Sequence, residues 1–269
     1  MRFVLRSLIL IAAAFAAFLA YAGYFDRNPL IEVPTPAGRT SAPRHLAAVY
    51  FSGDIGYRVG LGRKTAERLA GAGIPVVAVN SLAYFRRHRT VADVTRLTSQ
   101  AIRQAMKLGQ ANQVILIGHS LGADVLQAAL VELPADLRSK VRGVILIVPT
   151  QALYLEISPS EMLDLGRPDG SVLPTLSRLT WTPLTCVYGE DEADSPCHAL
   201  AMPNVSRVPL PGGHQLKWDA AAIHQAIMRA VNSDAAKITK ISGPAQREAM
   251  PLTAIAGLPQ IGRKKFHGG

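Results

Sequence analysis

The chain has 269 residues, 49% of them hydrophobic and 18% charged, with a formal net charge of +10 and two cysteines. That length and apolar content suit one medium α/β domain with a full core plus appendages. The basic charge comes without an aromatic-interleaved basic patch or a nucleic-acid motif, so nucleic acid is excluded as a partner, whereas an anionic membrane surface fits.

At the N-terminus Arg2 and Arg6 precede an apolar run from Leu8 to Ala22, and Ala20-Tyr21-Ala22 offers a small-x-small cleavage site before Gly23. The run continues through Tyr24 and Phe25, approaching the roughly 18 to 20 residues that span a bilayer if left uncleaved. Residues 1–22 are therefore expected as a signal peptide or a signal anchor, and either fate carries the rest of the chain out of the cytoplasm. Residues 23–45, rich in proline and small polar residues, are expected as a linker.

From residue 46 apolar strands alternate with amphipathic helices. Leu46–Phe51 reads as a buried strand, followed by a helix through about Ala70 that Gly71-Ala72-Gly73 ends. Ile74–Val79 is the next strand and Val91–Leu108 the next helix. Further strands are expected at 113–118, 144–148, 184–189 and 205–210, and a helix over 219–231 closes a domain spanning 46–231. Strands apolar throughout and separated by helices imply a mostly parallel sheet covered on both faces, the α/β-hydrolase layout. Residues 150–182 lack clear periodicity and carry four prolines with Pro183, which marks a short lid. Residues 232–269, ending in Gly262-Arg263-Lys264-Lys265, are expected as a flexible basic tail. There is no internal repeat and no long low-complexity tract.

The chemistry centres on Gly118-His119-Ser120-Leu121-Gly122. A β-branched run stops at Gly118 and helix-forming residues start after Gly122, so Ser120 sits on a strand-to-helix turn of the nucleophile-elbow pattern G-x-S-x-G. The glycines let strand and helix backbones pass close to a serine held in strained φ/ψ. The helix starting at Leu121 aims free N–H groups at an oxyanion beside the serine, with Leu121 as first donor. The second donor is expected from Gly53-Asp54-Ile55, after the first strand, with Asp54 and Ile55 as candidates. His214 follows the last strand in Leu210-Pro211-Gly212-Gly213-His214, the place of the general base in the order Ser, acid, His. His119, His198 and His224 are rivals in less suitable positions. The acid is expected after the strand ending at Gly189. Asp191 is favoured for its short side chain, Glu192 fits the spacing of three residues after the glycine, and Asp194 also competes. Cys186, on that strand, and Cys197, eleven positions on, are expected as a disulfide clipping this turn, with two reduced buried thiols as the alternative. No cofactor or metal is called for.

Several segments together resemble the bacterial VirJ/AcvB virulence-protein family: Phe51-Ser52-Gly53-Asp54, Ser81-Leu82 with Tyr84-Phe85 and Arg89-Thr90, Gly118 to Asp124, Tyr188 to Ser195, and Leu210 to His214. The family's usual Gly-Gly-Trp after Ser-Gly-Asp is here Ile55-Gly56-Tyr57, and only the expected linker stands before residue 46, where longer AcvB-like proteins carry a preceding domain. The resemblance implies a periplasmic serine hydrolase. For AcvB-like members it implies hydrolysis of the aminoacyl, chiefly lysyl, ester of aminoacylated phosphatidylglycerol. It also permits a competing role as a non-catalytic partner of secretion-system components. A general lipase or esterase is a third reading.

Two charged groups bear on the substrate. Residues 150–200 hold eight acidic residues against Arg167 and Arg178, a net charge of −6 that leaves +16 on the rest of the chain. Glu190 and Asp194 are expected to face the cavity mouth and draw in an ester bearing ammonium groups. Arg86, Arg87 and Arg89, beside Tyr84 and Phe85 at a strand's C-terminal end, are candidates for a lipid-phosphate clamp.

Overall fold

The computed structural model describes residues 2–37, 45–158 and 166–241. The chain divides into two units, Met1–Asp234 and Ala235–Gly269. The first holds the sheet and the candidate site. Of the second, residues 235–241, the end of the last helix, are described, and most of the expected basic tail lies outside the described residues, as do Glu161 and Asp164 of the expected lid.

The first unit begins with helix α1 (Arg2–Ala22) and an edge strand β1 (Leu30–Val33). Next come β2 (Leu46–Phe51), α2 (Gly62–Gly71), β3 (Val76–Val79), the single turn α3 (Ser81–Tyr84) and α4 (Val91–Leu108). Then β4 (Gln113–His119), α5 (Leu121–Leu130), α6 (Ala135–Arg138) and β5 (Val141–Ile147) lead to the insertion, which holds the two-residue strands β6 (Ala152–Leu153) and β7 (Gly170–Ser171) and the short helix α7 (Val172–Leu176). Strands β8 (Leu184–Gly189) and β9 (Val205–Leu210) and the part up to Asp234 of helix α8 (Ala220–Ile241) complete it.

The seven-stranded sheet has the order β1-β3-β2-β4-β5-β8-β9, with every pairing parallel except that of β1 with β3. Alternate residues serve opposite faces, so both faces must be apolar. In β2, Ala47, Val49 and Phe51 join a core with Leu116, Val94 and Leu126, while Leu46, Ala48 and Tyr50 join a second core with Ile115, Leu69 and Ile223. Helix α4 has clean boundaries because Thr90 and Asp93 form a reciprocal capping box at its start and Gly109 follows its end.

Three expectations about extent are corrected. Residues 23–45 are not simply a linker, because Leu30–Val33 pairs antiparallel with β3 in the register Leu30 to Val79 through Val33 to Val76. The flanking prolines that suggested a linker are tolerated at a sheet edge, where one side of the backbone needs no partner. The end of α1 is also built in: Ala22 is fully buried and Asn80 Nδ2 donates to the Ala22 and Gly23 carbonyls at 3.1 and 3.4 Å. The last helix runs to Ile241 rather than stopping at 231. Among the described residues no helix is long and apolar enough to cross a membrane.

Candidate active site

The connectivity places the site. After β2 the chain moves outward to β3 and then returns to the other side of β2 with β4, so the loops after β2 and β4 diverge and leave a crevice at their C-terminal ends. Ser120 stands at that point. Its φ of 53° and ψ of −125° are the strained turn expected of a nucleophile elbow. The strain is imposed by packing: a Cβ on Gly118 would meet Ala123 Cα at 2.5 Å, and one on Gly122 would meet the Phe51 and Ser52 carbonyls at 2.5 Å. Strand β4, helix α5 and the end of β2 thus converge to backbone contact around one residue.

The serine hydroxyl lies 2.9 Å from His214 Nε2. On the other side of the ring, His214 Nδ1 lies 2.8 Å from Glu192 Oε1. An ionised carboxylate only accepts, so Nδ1 carries the proton and Nε2 is left to accept from the Ser120 hydroxyl. Glu192 is fixed in turn by the Gly189 N–H on Oε2 at 2.8 Å. Its hydrogen bond to His214 raises the imidazole above its ordinary pKa against the opposing effect of burial. Burial also works against the charge on Glu192, but the bonds from His214 and Gly189 outweigh it and hold the carboxyl below its usual range.

The acid on the histidine is therefore Glu192 and not Asp191. Asp191 is exposed, its backbone N–H is bound to the Gly212 carbonyl at 3.1 Å, and it lines neither space beside Ser120. A glutamate three residues past Gly189 folds back over the strand end, and its extra methylene spans the gap that favoured an aspartate on length alone. Asp194 is exposed as well, with its carbonyl accepting from Gln151 Nε2 at 2.8 Å. The disulfide joins Cys186 to Cys197 and brackets the Glu192 turn. His119 is paired with the Tyr50 hydroxyl at 3.0 Å, and burial drives its pKa down to about 4, so it stays neutral beside the serine. His198 bonds the Glu192 carbonyl at 3.0 Å, behind the line of contacts.

In the first turn of α5 the Ala123 and Asp124 N–H groups bond the Ser120 carbonyl at 2.7 and 3.2 Å, which leaves the Leu121 N–H at the helix opening. Across the crevice Gly53 sits against Ser120, so that a Cβ there would stand 3.6 Å from that of the serine. Ile55 is corrected as a donor, since its N–H bonds Asp54 Oδ1 at 3.0 Å. Of the two candidates after β2, Asp54 remains, and it lines both spaces that open on Ser120.

A cavity of about 440 Å³ opens on Ser120 and His214, walled by Asp54, Asp124, Thr150, Gln151, Tyr154 and Glu156. Its ionisable walls beside the histidine are all acidic. A second cleft of about 250 Å³ shares Asp54, Ser120 and His214 and is walled by Ile55, Val59, Leu61 and Trp218. Glu190 and Asp194 line neither space, so the acidic character of the cavity comes from different residues than those expected. The arginine clamp is not assembled either. Arg86 donates to the Tyr24 carbonyl at 2.8 Å, Arg89 donates to the Tyr84 carbonyl at 2.9 Å and lies 4.4 Å over the Tyr84 ring, and Arg87 is exposed. The backbone of this segment braces the insertion: the Phe85 carbonyl accepts from the Ile157 N–H at 2.7 Å, and the Arg89 backbone N–H donates to the Leu155 carbonyl at 2.9 Å. Asp124 was missed as a wall residue, although a lone charge four residues past Ser120 in the otherwise uncharged Leu121–Leu130 is itself a signal. Among the described residues no group of three His, Cys, Asp or Glu side chains is placed to hold a metal ion.

The sequence model of the bacterial virulence protein (VirJ) family matches residues 45–235. The chain belongs to that family. No curated protein matches it significantly. Similar solved structures include Est1E from Butyrivibrio proteoclasticus with ferulic acid bound, at 17% identity over 76% of this chain and 96% of that one, with a TM-score of 0.52. They also include MenH from S. aureus, at 13% identity over 77% and 99% of the two chains, with a TM-score of 0.53. A lipase-esterase related protein from Clostridium acetobutylicum is 13% identical over 75% and 99%, again with a TM-score of 0.53. This member of the VirJ family therefore has the α/β-hydrolase fold, and its elbow serine, loop histidine and strand-end acid occupy the C-terminal edge of that sheet.

Proposed function

We propose that this protein is an exported serine esterase that cleaves its substrate through an acyl-enzyme on Ser120. The observation that carries the reading is the hydrogen-bonded line from Ser120 through His214 to Glu192 at the mouth of a cavity. In the reaction the Ser120 oxygen attacks the ester carbonyl as His214 Nε2 takes its proton, and Glu192 stabilises the imidazolium. The Leu121 and Asp54 N–H groups hold the negative oxygen that forms. His214 then passes the proton to the departing alcohol, and water reverses the sequence to free the acid.

For the ester, acidic cavity walls favour an acyl group that carries positive charge. Together with the resemblance to AcvB-like hydrolases they support the aminoacyl ester of aminoacylated phosphatidylglycerol, the lysyl ester above all, in the periplasm. The export-type N-terminal segment and the disulfide support that compartment. The test compares lysyl-phosphatidylglycerol, phosphatidylglycerol and short neutral acyl esters as substrates of the wild type and of Ser120→Ala. The expected result is release of lysine by the wild type, with turnover and fluorophosphonate labelling both lost in Ser120→Ala. Undiminished hydrolysis by the alanine variant would remove the serine mechanism. Faster turnover of neutral acyl esters than of lysyl esters would make it a general esterase.

A further inference from the structure

Asp124 is unusual among the ten buried residues of α5. It lies one helical turn past Ser120, is 2% exposed and forms part of the cavity wall. Its partners are neutral: the Thr150 N–H on Oδ1 at 2.9 Å and the Thr150 hydroxyl on Oδ2 at 2.7 Å. Among the described residues no lysine or arginine pairs with it, and none lines the cavity. An ionised carboxylate buried without a counter-ion is costly, and each oxygen retains acceptor capacity after its one bond to Thr150. The two bonds from Thr150 call for acceptors at this position but not for a charge. An uncharged residue would satisfy the fold at lower cost.

The position also fits a particular distance. Ser120, at the start of α5, and Asp124, inside it, wall the same cavity of about 440 Å³. A carbonyl carbon at attack distance from the Ser120 oxygen carries its α-substituent one atom further into the cavity that Asp124 walls. A side-chain ammonium at the end of a long acyl group lies several atoms beyond it. We propose that Asp124, oriented by Thr150, is the specificity residue that receives the α-ammonium group of an aminoacyl ester whose carbonyl is poised at Ser120. This rests on the serine-esterase reading and deepens it by assigning the recognised group. Burial holds the Asp124 carboxyl up at about 8, so an ammonium group beside it would favour its charged form and supply a counter-ion.

Two esters isolate this contact. Alanyl and propionyl 2-naphthyl esters share one skeleton and differ in the α-ammonium group alone. The wild type should prefer the alanyl ester, and Asp124→Asn should lower the ratio of kcat/KM for alanyl over propionyl ester by about 10- to 100-fold, chiefly through KM, the size of one charged hydrogen bond. A ratio that does not change in Asp124→Asn overturns the proposal. Fluorophosphonate labelling reports whether that variant retains the Ser120–His214 pair. If it does not fold, Thr150→Val carries the test: it frees one carboxylate oxygen while keeping the charge, and should lower the ratio severalfold, an unchanged ratio again being decisive against. A wild type that cleaves both esters equally overturns the assignment of Asp124 and leaves the serine-esterase reading intact. A wild type that neither cleaves an ester nor takes the fluorophosphonate overturns that reading and this proposal together.

Discussion

At the residue scale the site turns on what holds His214. Its raised pKa comes first from the hydrogen bond to Glu192, with the Glu192 charge adding in the same direction. Because His214 must be neutral to accept the serine proton, activity should fall as pH drops through that raised value. Glu192→Gln removes the principal cause, so the acid limb of kcat/KM should move to lower pH. The rate itself should fall on the order of 10⁴-fold, because the amide no longer fixes the tautomer or stabilises the imidazolium. A pH–rate profile of the variant checks both, and an unmoved acid limb would show that Glu192 does not govern the base. The choice between Asp191 and Glu192 shows where sequence reading stops. Spacing after Gly189 pointed to Glu192 and side-chain length pointed to Asp191. What decides is the Glu192 carboxylate bridging the Gly189 N–H and the His214 ring, a contact between two loops whose closeness no local pattern encodes.

At the element scale the fold was legible where one apolar period persists. The β2, β4 and β8 runs and the full span of α4 read directly, since a strand buried on both faces and a capped amphipathic helix each leave a continuous mark. Short or edge elements did not. Strand β1 has four residues between prolines, and its pairing with β3 lies some 45 positions away in sequence, so propensity alone could not fix it. The same holds for Arg86 and Arg89, whose basic-aromatic pattern reads as a phosphate site until the Tyr24 and Tyr84 carbonyls are seen to take their guanidinium groups. The element that most constrains the site is the turn between β8 and β9. The disulfide between Cys186 and Cys197, eleven residues apart, closes the short loop that carries Glu192. Closing a loop of that size is worth about 3 kcal/mol of chain entropy. Replacing both cysteines by serine should lower the stability by roughly that amount. It should also reduce kcat more than KM, because a looser turn misplaces Glu192 without touching the cavity walls. Denaturant unfolding and steady-state kinetics on the double variant check this, and an unchanged kcat beside lowered stability would confine the bridge to a purely structural part.

At the scale of the whole molecule, two features point to a lipid surface, the basic net charge and the exposed apolar helix α1. Val4, Leu8, Leu10, Phe15, Phe18 and Tyr21 of α1 are all exposed, and so are Phe25 and Trp218. The helix end is joined to the catalytic edge. Gly56, a wall residue of the second cleft, has a φ of +89° and lies so close to the Ala22 carbonyl that a Cβ there would stand 3.0 Å from it. Arg58 meets Asp26 at 2.9 Å and the Tyr21 carbonyl at 3.3 Å, which ties the same loop to the helix again. A membrane that takes up α1 would thus hold the cleft near its headgroups, where an ester on a phospholipid is presented. Apolar insertion and charge attraction respond differently to salt. Attraction to an anionic surface is worth about 1 kcal/mol for each nearby basic residue and fades within a Debye length of about 8 Å at physiological ionic strength. Insertion of apolar side chains does not depend on salt in this way. Full-length protein should therefore sediment with phosphatidylglycerol vesicles more strongly than with phosphatidylcholine vesicles at low salt. As salt rises, the two should converge on a common residual binding. Equal binding at low salt would show that the basic surface does not meet the membrane. Complete release from both by high salt would show that α1 stays out of the lipid.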